Sequence, residues 1–553
     1  MKRLHYFSSN CILSGVCLLA TMLAQQAWSQ DYLDVPAGFE TLNLAVAGDS
    51  LPNGTRNPNR VYRLENGGFY LINGTIDNSL NGGFEMHVQA ADPSGPMPVL
   101  IPFATGTGEA PLSFSFVANG SLKGLYLSSL DQNANYIRNN VRLDQDGISV
   151  TVDSCFLDYD RQAPLRANAF EQKFYIYNTI VRNCSRAGTQ NTGRCIDIRE
   201  NLVDSLVVQN CTFYFATGEI INDQGGALIR NLIFDHNTMV GTDKLDSHTI
   251  FNGRITNNLF INVGWEMDDI AGGDTLREEI LPIDSLRSPL FTEADRRILI
   301  NRNNFNYSQE FHNYVNSVDT VDFYVLHNTV SQRFIAENPN IVSENWIDEY
   351  PDFAVPPDYN LLMDWAVYQI SGAVEAGTPD VIADPRPNDE NDIINTFGLA
   401  DVLYGKGGGE FEFDYPTSKA SYTHAEGGFP LGDLNWFPAK KAEWQSFVSS
   451  VSDKGHPNGI PTAFALAQNY PNPFNPATTI EYEISKSTNV SLAVYDIVGR
   501  RVRTLVSTRQ NAGHHRVTWD GTNDGGRIVA NGVYVYRLQV DGTTLSRKLL
   551  LVK

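Results

Sequence analysis

The sequence predicts an all-β chain, a right-handed parallel β-helix followed by a small C-terminal immunoglobulin-like β-sandwich. Three observations carry that expectation. Between Phe174 and Asn262 short apolar strands keep arriving at an asparagine and restarting, as in Tyr175–Val181, Val207–Phe213, Phe234–Val240 and Ile255–Ile261. The intervals from Asn178 to Asn210, Asn237 and Asn258 are 32, 27 and 21 residues, the size of solenoid coils and too short for domains. The last ninety or so residues alternate apolar and polar side chains in six short runs, the pattern of an antiparallel sandwich.

A single coil cannot bury its apolar side, so coils stack. A polar residue recurring inside each coil is explained if stacked asparagines satisfy one another's amide groups at a bend. A sandwich also has many short strands, but its turns should come every 8 to 12 residues.

Taken in order, the chain opens with Met1-Lys2-Arg3, a short apolar run and small residues at Ala27 and Ser29, which describes a secretory signal peptide over residues 1–29. The β-helix is expected over 30–437. Val61–Leu64, a Gly67-Gly68 turn, Phe69–Ile72 and the tight-turn pair Asn73-Gly74 begin it, and this segment covers the first coil's open end. Strands follow at Met86–Gln89, Val99–Phe103, Leu112–Val117, Leu122–Leu127 and Ile148–Leu157. After Asn262 an acidic insertion at 266–297 interrupts the coils, with a short helix opening at Thr292. Coils are expected to resume at Leu299–Phe305 and at Tyr324–Val330, where His327-Asn328-Thr329 echoes His236-Asn237-Thr238. Residues 338–436 lose the pattern and end in Gly432-Asp433-Leu434-Asn435-Trp436. A linker over 438–463, with a short helix at Lys440–Phe447, precedes the sandwich at 464–553.

The charge is uneven. From Phe464 onward 11 Lys and Arg stand against 6 Asp and Glu, a balance of +5; with Lys2 and Arg3 set aside, 28 face 57 in residues 30–463, or −29, within an overall −22. An acidic body excludes bulk capture of nucleic acid, and an anionic substrate would need a local basic groove or a bridging metal. No stretch after the leader is apolar enough for a membrane helix, and a monomer is expected. Four cysteines remain once the leader is removed, too few for a disulfide framework; Cys184 and Cys195 are the pair to test.

The opening at Asn59–Ile76, the asparagine coils and the Gly-Asp-Leu-Asn-Trp ending together resemble secreted β-helix proteins of Bacteroidetes-type bacteria, in the wider pectate-lyase-like superfamily. That resemblance implies an extracellular polysaccharide as partner and either a lyase, ahead of a hydrolase, or a non-catalytic glycan-binding or adhesin-like surface protein. A lyase on this fold needs a base, and a neutraliser of the uronate carboxylate that is often Ca²⁺. The candidates for acid–base work are Lys173, Arg194, Asp197, Arg199 and His248, and for Ca²⁺ Glu219 and Asp223. Asp197 and Arg199 share a face of one strand, and Asp223 and His248 follow one coil on. Tyr126, Tyr136, Tyr159, Phe170, Tyr175, Tyr177, Tyr214 and Trp265 are candidate stacking platforms for sugar rings.

Asn469–Pro476, Tyr495–Arg500, Trp519-Asp520-Gly521, Gly532–Tyr536 and the basic end from Arg547 to Lys553 resemble the C-terminal sorting domain of type IX secretion substrates. They are also similar to the immunoglobulin-like domain of flagellar hook-capping proteins. The first resemblance implies the type IX machinery as partner, passage through the outer membrane, cleavage, and release or attachment at the cell surface.

Overall fold

A computed structural model describes residues 31–553 apart from 50–56, 58–59, 80–82, 106–109, 111, 132–136, 138, 161, 185–192, 199–200, 223–226, 246–248, 265–278, 287–290, 319–322, 358–410, 454–463 and, further on, 467–468, 470–473, 475–476, 485–487, 497–498, 511–512, 542 and 553. The expected signal peptide lies outside these residues. The chain divides into two compact units, one to Lys441 and one from Ala442 to Lys553.

The first unit is a parallel β-helix. Its described strands form an eleven-stranded, a ten-stranded and a six-stranded sheet, each pairing strands from successive coils in parallel. One coil runs Leu165–Ala167 on the six-stranded sheet, Gln172–Tyr177 on the eleven-stranded sheet and Ile180–Cys184 on the ten-stranded sheet. Alternation decides which side chains point inward: Phe174 and Ile176 enter the core while Lys173, Tyr175 and Tyr177 face out. Stacked Val, Ile, Leu and Phe from every coil give one continuous core, capped at its start by helix α1 (Thr41–Gly48), which buries Leu42 and Val46.

The asparagines occupy two neighbouring columns at the corner between the eleven- and ten-stranded sheets. The first column is left-handed backbone: Ser154, Asn178, Asn210, His236, Asn257, Arg302 and Asn345 all have φ between 51° and 61°. Asn tolerates that conformation better than other residues with a Cβ. The second column, one residue on, points inward and forms the ladder. Asn237 Oδ1 accepts from Cys211 N at 3.0 Å, Asn258 Oδ1 from Asn237 N at 2.8 Å, and Asn303 Oδ1 from Asn258 N at 2.9 Å. The expected set therefore merges the columns: Asn178 and Asn210 belong to the first, Asn237 and Asn258 to the second.

Two further expectations are corrected. Tyr324–Val330 is not a coil repeating His236–Val240; Asn328 caps helix α3 (Thr329–Glu337), its side chain accepting from Val330 N and Ser331 N, after helix α2 (Gln309–Val318). An Asn before Thr-Val-Ser serves as readily as a helix cap as a ladder member. Within the acidic insertion Ile280, Leu281 and Ile283 are core residues, and Ile280 bridges Leu245 and Val325 through backbone hydrogen bonds. The short helix expected at Thr292 is a single 3₁₀ turn, Glu293–Asp295.

Helix α4, Pro438–Asp453, occupies the start of the expected linker. The second unit pairs a three-stranded and a four-stranded antiparallel sheet. All six expected strands are present, with Ala465–Leu466 as a seventh, around a core that includes Trp519, Tyr536, Leu492 and Ile480.

Candidate functional site

The outward residues of the β-helix fall on faces of opposite character. On the ten-stranded sheet the row Val99, Tyr126, Phe156, Ile180, Thr212, Thr238, Leu259 and Asn304 runs along the stack in register. Residues 411–441 return as a strap and cover it. Ser421 Oγ accepts from Asn304 Nδ2 at 3.0 Å, Gly432 N donates to Asn257 O at 2.8 Å, and Asp433 N donates to Thr238 Oγ1 at 2.9 Å. Further along, Asp433 Oδ2 accepts from Thr212 Oγ1 at 2.8 Å, Asn435 Nδ2 donates to Asn210 O at 2.9 Å, and Lys441 Nζ donates to Asn178 Oδ1 at 2.6 Å. The strap thus descends the stack coil by coil, docking on the left-handed asparagine column. Trp436 packs on the apolar cluster of Tyr126, Phe156 and Ile180, and Phe411 on Tyr214.

Burial under this cover shapes the ionisable groups. Desolvation raises Asp433 to about 6, against the pull of its bonds from Asn435 and of Lys441, and the same burial lowers Lys441. Arg182 forms a buried ion pair with Asp158 at 2.9 Å, between the rings of Phe156 and Phe411. At the upper end Arg254 holds Glu426 at 3.1 Å. Asp235 is buried, which alone would raise it, yet His236 and Arg254 beside it hold it below the usual carboxylate range. Gln209, Thr256 and Asn257 complete its bonds. These groups fasten the structure and are closed to a polymer.

Among the described residues, the strap leaves open the outward side of the eleven-stranded sheet around Lys173. The row of this sheet runs His87, Ser121, Thr151, Tyr175, Val207 and Ile233. Lys173 is exposed on the same strand and face as Tyr175 and Tyr177. The two tyrosine rings lie parallel, 4° apart in plane with centroids 6.5 Å apart, the repeat of alternate residues on a strand. Burial raises Tyr175, with Asp204 adding to it. Lys123 and Asp153 pair at 3.0 Å on one flank, and Arg230 joins Asp204 and Glu171 on the other.

Of the expected site residues that are described, Arg194 and Glu219 meet, and Lys173 lies apart from them. Lys173 stands on the open face; Arg194 is buried at another corner with its Nε 3.2 Å from Glu219 Oε2. Asp197 is buried on the six-stranded sheet, accepting from Asn222 Nδ2 at 3.2 Å with Arg166 Nε at 3.8 Å. Glu219, half of the expected Ca²⁺ pair, is committed to Arg194, so the described carboxylates do not make a Ca²⁺ cage there. Arg199, Asp223 and His248 lie outside the described residues, as do Tyr136 and Trp265. Of the other aromatics Tyr126, Tyr159 and Tyr214 are buried and Phe170 is exposed, and Tyr175 and Tyr177 are a half-buried, outward-facing pair. The docking role of Asn178, Asn210 and Asn257 is not legible in the sequence, because it depends on the return of residues 432–441 along the stack.

Residues 476–545 match the family model described as the FlgD Ig-like domain. No curated protein matches the chain. Among solved structures, dimeric latent PorU from Porphyromonas gingivalis is similar at 22% identity over 17% of this chain and 10% of that one, with a TM-score of 0.15. PorZ, a surface component of the type IX secretion system of the same organism, is similar at 18% identity over 17% and 12%, with a TM-score of 0.13. The likeness therefore spans about a tenth of either protein's length.

Proposed function

We propose that the chain is an exported protein, secreted or attached at the outer-membrane surface by type IX secretion, whose β-helix binds an extended extracellular polysaccharide along the open face of its eleven-stranded sheet. The observation that carries the binding reading is the set Lys173, Tyr175 and Tyr177, alternate residues of one strand that put an exposed cation and two half-buried, parallel rings on the same outward side. Sugar rings present apolar C–H faces that stack on tyrosine, and a lysine supplies donors to hydroxyl or carboxylate oxygens. A face built from stacked strands repeats every 4.8 Å or so along the coil axis, which suits a linear polymer better than a small molecule. The export reading is supported by the sorting-domain motifs and by the match of residues 476–545 to an Ig-like domain.

Lyase turnover of a uronate polymer is the second reading. Lys173 favours it, being a candidate base that stands in the open beside the rings. Incubating the full chain with pectin, alginate, chondroitin and neutral glycans separates the two readings. Affinity electrophoresis should show retardation by at least one polymer, weakened about tenfold or more in Tyr175→Ala/Tyr177→Ala. Growth of the absorbance of unsaturated products, lost in Lys173→Ala, would establish turnover; no retardation by any polymer would sink the binding reading for that panel. Deleting 464–553 should trap the protein in the periplasm, and unchanged export would sink the type IX reading.

A further inference from the structure

The four described cysteines are all buried, and all four are thiols. Their positions are not equivalent. Cys155 and Cys211 stand in one inward column with Thr179 between them, since Asp153, Tyr177 and Gln209 are in register on adjacent strands. Two strand spacings separate them, about 9.5 Å. A disulfide needs Cα atoms within roughly 7 Å, so this pair cannot close without moving the stack.

Cys184 and Cys195 are arranged otherwise. Cys184 ends strand Ile180–Cys184 and pairs with Ala216 of the next coil; Cys195 precedes strand Ile196–Asp197 and its N donates to Glu219 O at 3.2 Å. Thr217 N donates to Cys184 O at 2.9 Å and Gly218 N to Gly193 O at 3.2 Å. An N–H in a parallel ladder bonds the carbonyl before its register partner, so Cys195 stands opposite Ile220, as Ile196 does opposite Ile221, and the next coil turns this corner with the five residues Ala216–Ile220. Cys184 and Cys195 thus hold the places that Ala216 and Ile220 take in the next coil, at the two ends of one short corner. Both side chains enter the common core, and the two thiols are within hydrogen-bonding contact.

We propose that Cys184 and Cys195 form a disulfide in the mature protein, fastening the corner between the ten- and six-stranded sheets. The two sulfurs join, and the two electrons and two protons pass to a disulfide of low molecular weight or of a thiol–disulfide oxidoreductase, which is reduced to two thiols. Closing a loop of about a dozen residues restricts the unfolded chain, and the bond lies in a core where it displaces no water. Burial raises the Cys184 thiol well above its ordinary value, so the thiolate that must attack is scarce once the chain has folded. The bond therefore forms while the chain is folding, and the folded thiol form reacts slowly.

The test is refolding of the full chain in a mixture of reduced and oxidised glutathione, alkylation under denaturing conditions, and tryptic mapping without reductant. This does not depend on export. Cleavage after Arg182, Arg186, Arg194 and Arg199 isolates the two cysteines on peptides 183–186 and 195–199. The expected result is those peptides joined, with Cys155 and Cys211 alkylated, and a melting temperature that falls by roughly 5 °C on reduction. The Cys184→Ala/Cys195→Ala variant should melt at one temperature with or without reductant. Recovery of Cys184 and Cys195 as alkylated peptides, or links shared among all four cysteines, would overturn the proposal. A joined pair whose reduction leaves melting unchanged would overturn it too, because the bond would then fasten nothing.

Discussion

The outer faces of the eleven- and ten-stranded sheets obey one rule of alternation and meet opposite fates. Each carries a pair of aromatic rings: Tyr175 with Tyr177 on the former, Tyr126 with Phe156, 5.1 Å apart, on the latter. The first pair faces outward and the second lies beneath Trp436. The rows also differ in composition: Val99, Tyr126, Phe156, Ile180 and Leu259 make the covered one largely apolar, whereas His87, Ser121 and Thr151 make half of the other polar. The asparagine column lies at the corner the two faces share, and the strap takes up its backbone and side-chain groups in turn while covering the ten-stranded sheet. An outward aromatic in a solenoid is therefore not by itself a binding platform; it becomes one only where no other segment of the chain claims it.

Truncating a ring on each face sharpens the contrast most. Phe156→Ala removes a ring from under the strap and from the face of Arg182, and should cost about 4 kcal/mol in chemical denaturation. Tyr175→Ala, on the open face, should cost about 1 kcal/mol or less, with its effect falling on glycan binding instead. Equal losses would mean that the open face is in fact packed against something.

Next comes the strap itself. Gly432 sits at φ +81°, and a Cβ there would approach Thr238 Oγ1 to 2.5 Å and Leu259 Cδ1 to 2.8 Å. Gly432→Val combines a strained backbone with overpacking and should cost about 3 kcal/mol. It should also raise hydrogen exchange along the asparagine column while leaving that of strand Gln172–Tyr177 unchanged. A uniform rise would show that the strap closes the whole stack and not one face.

The sequence displayed the coils, the terminal sandwich and the closing Gly-Asp-Leu-Asn-Trp, because each depends on local alternation or on turn chemistry. It concealed what depends on the third dimension. His236 and Arg302 fill the same left-handed position as Asn178, so a search for asparagine alone misaligned the columns by one residue. Asn328 has the flanks of a ladder residue but caps a helix. The candidate charges suffered most: Arg194, Asp197 and Glu219 are spaced as a site would be, yet Arg194 and Glu219 pair with each other and Asp197 is held by Asn222 and Arg166. Spacing along a coil fixes the height of a residue in the stack, and only the coil's corners fix which face it takes.

The smallest expected effect is a pair of opposed pH dependences. Asp433, beneath the strap, has its pKa raised to about 6 by burial, so the native state holds its proton where the unfolded chain releases it. Its contribution is present in full below the ordinary carboxylate value near 4 and fades as pH rises through 6. His327 is lowered to about 4 by burial, although its bond to Leu281 O acts the other way, so the native state refuses a proton that the unfolded chain accepts. Its contribution is present above about 6.5 and lost as pH falls through 4. The two slopes oppose each other between pH 4 and 6, and wild-type stability should change little there on their account. Asp433→Asn should uncover stability that rises with pH in that window, and His327→Gln stability that falls with it, each followed by urea denaturation at pH 4, 5 and 6. If both variants keep the wild-type profile, the strap and the α3 corner are wetter than their burial implies.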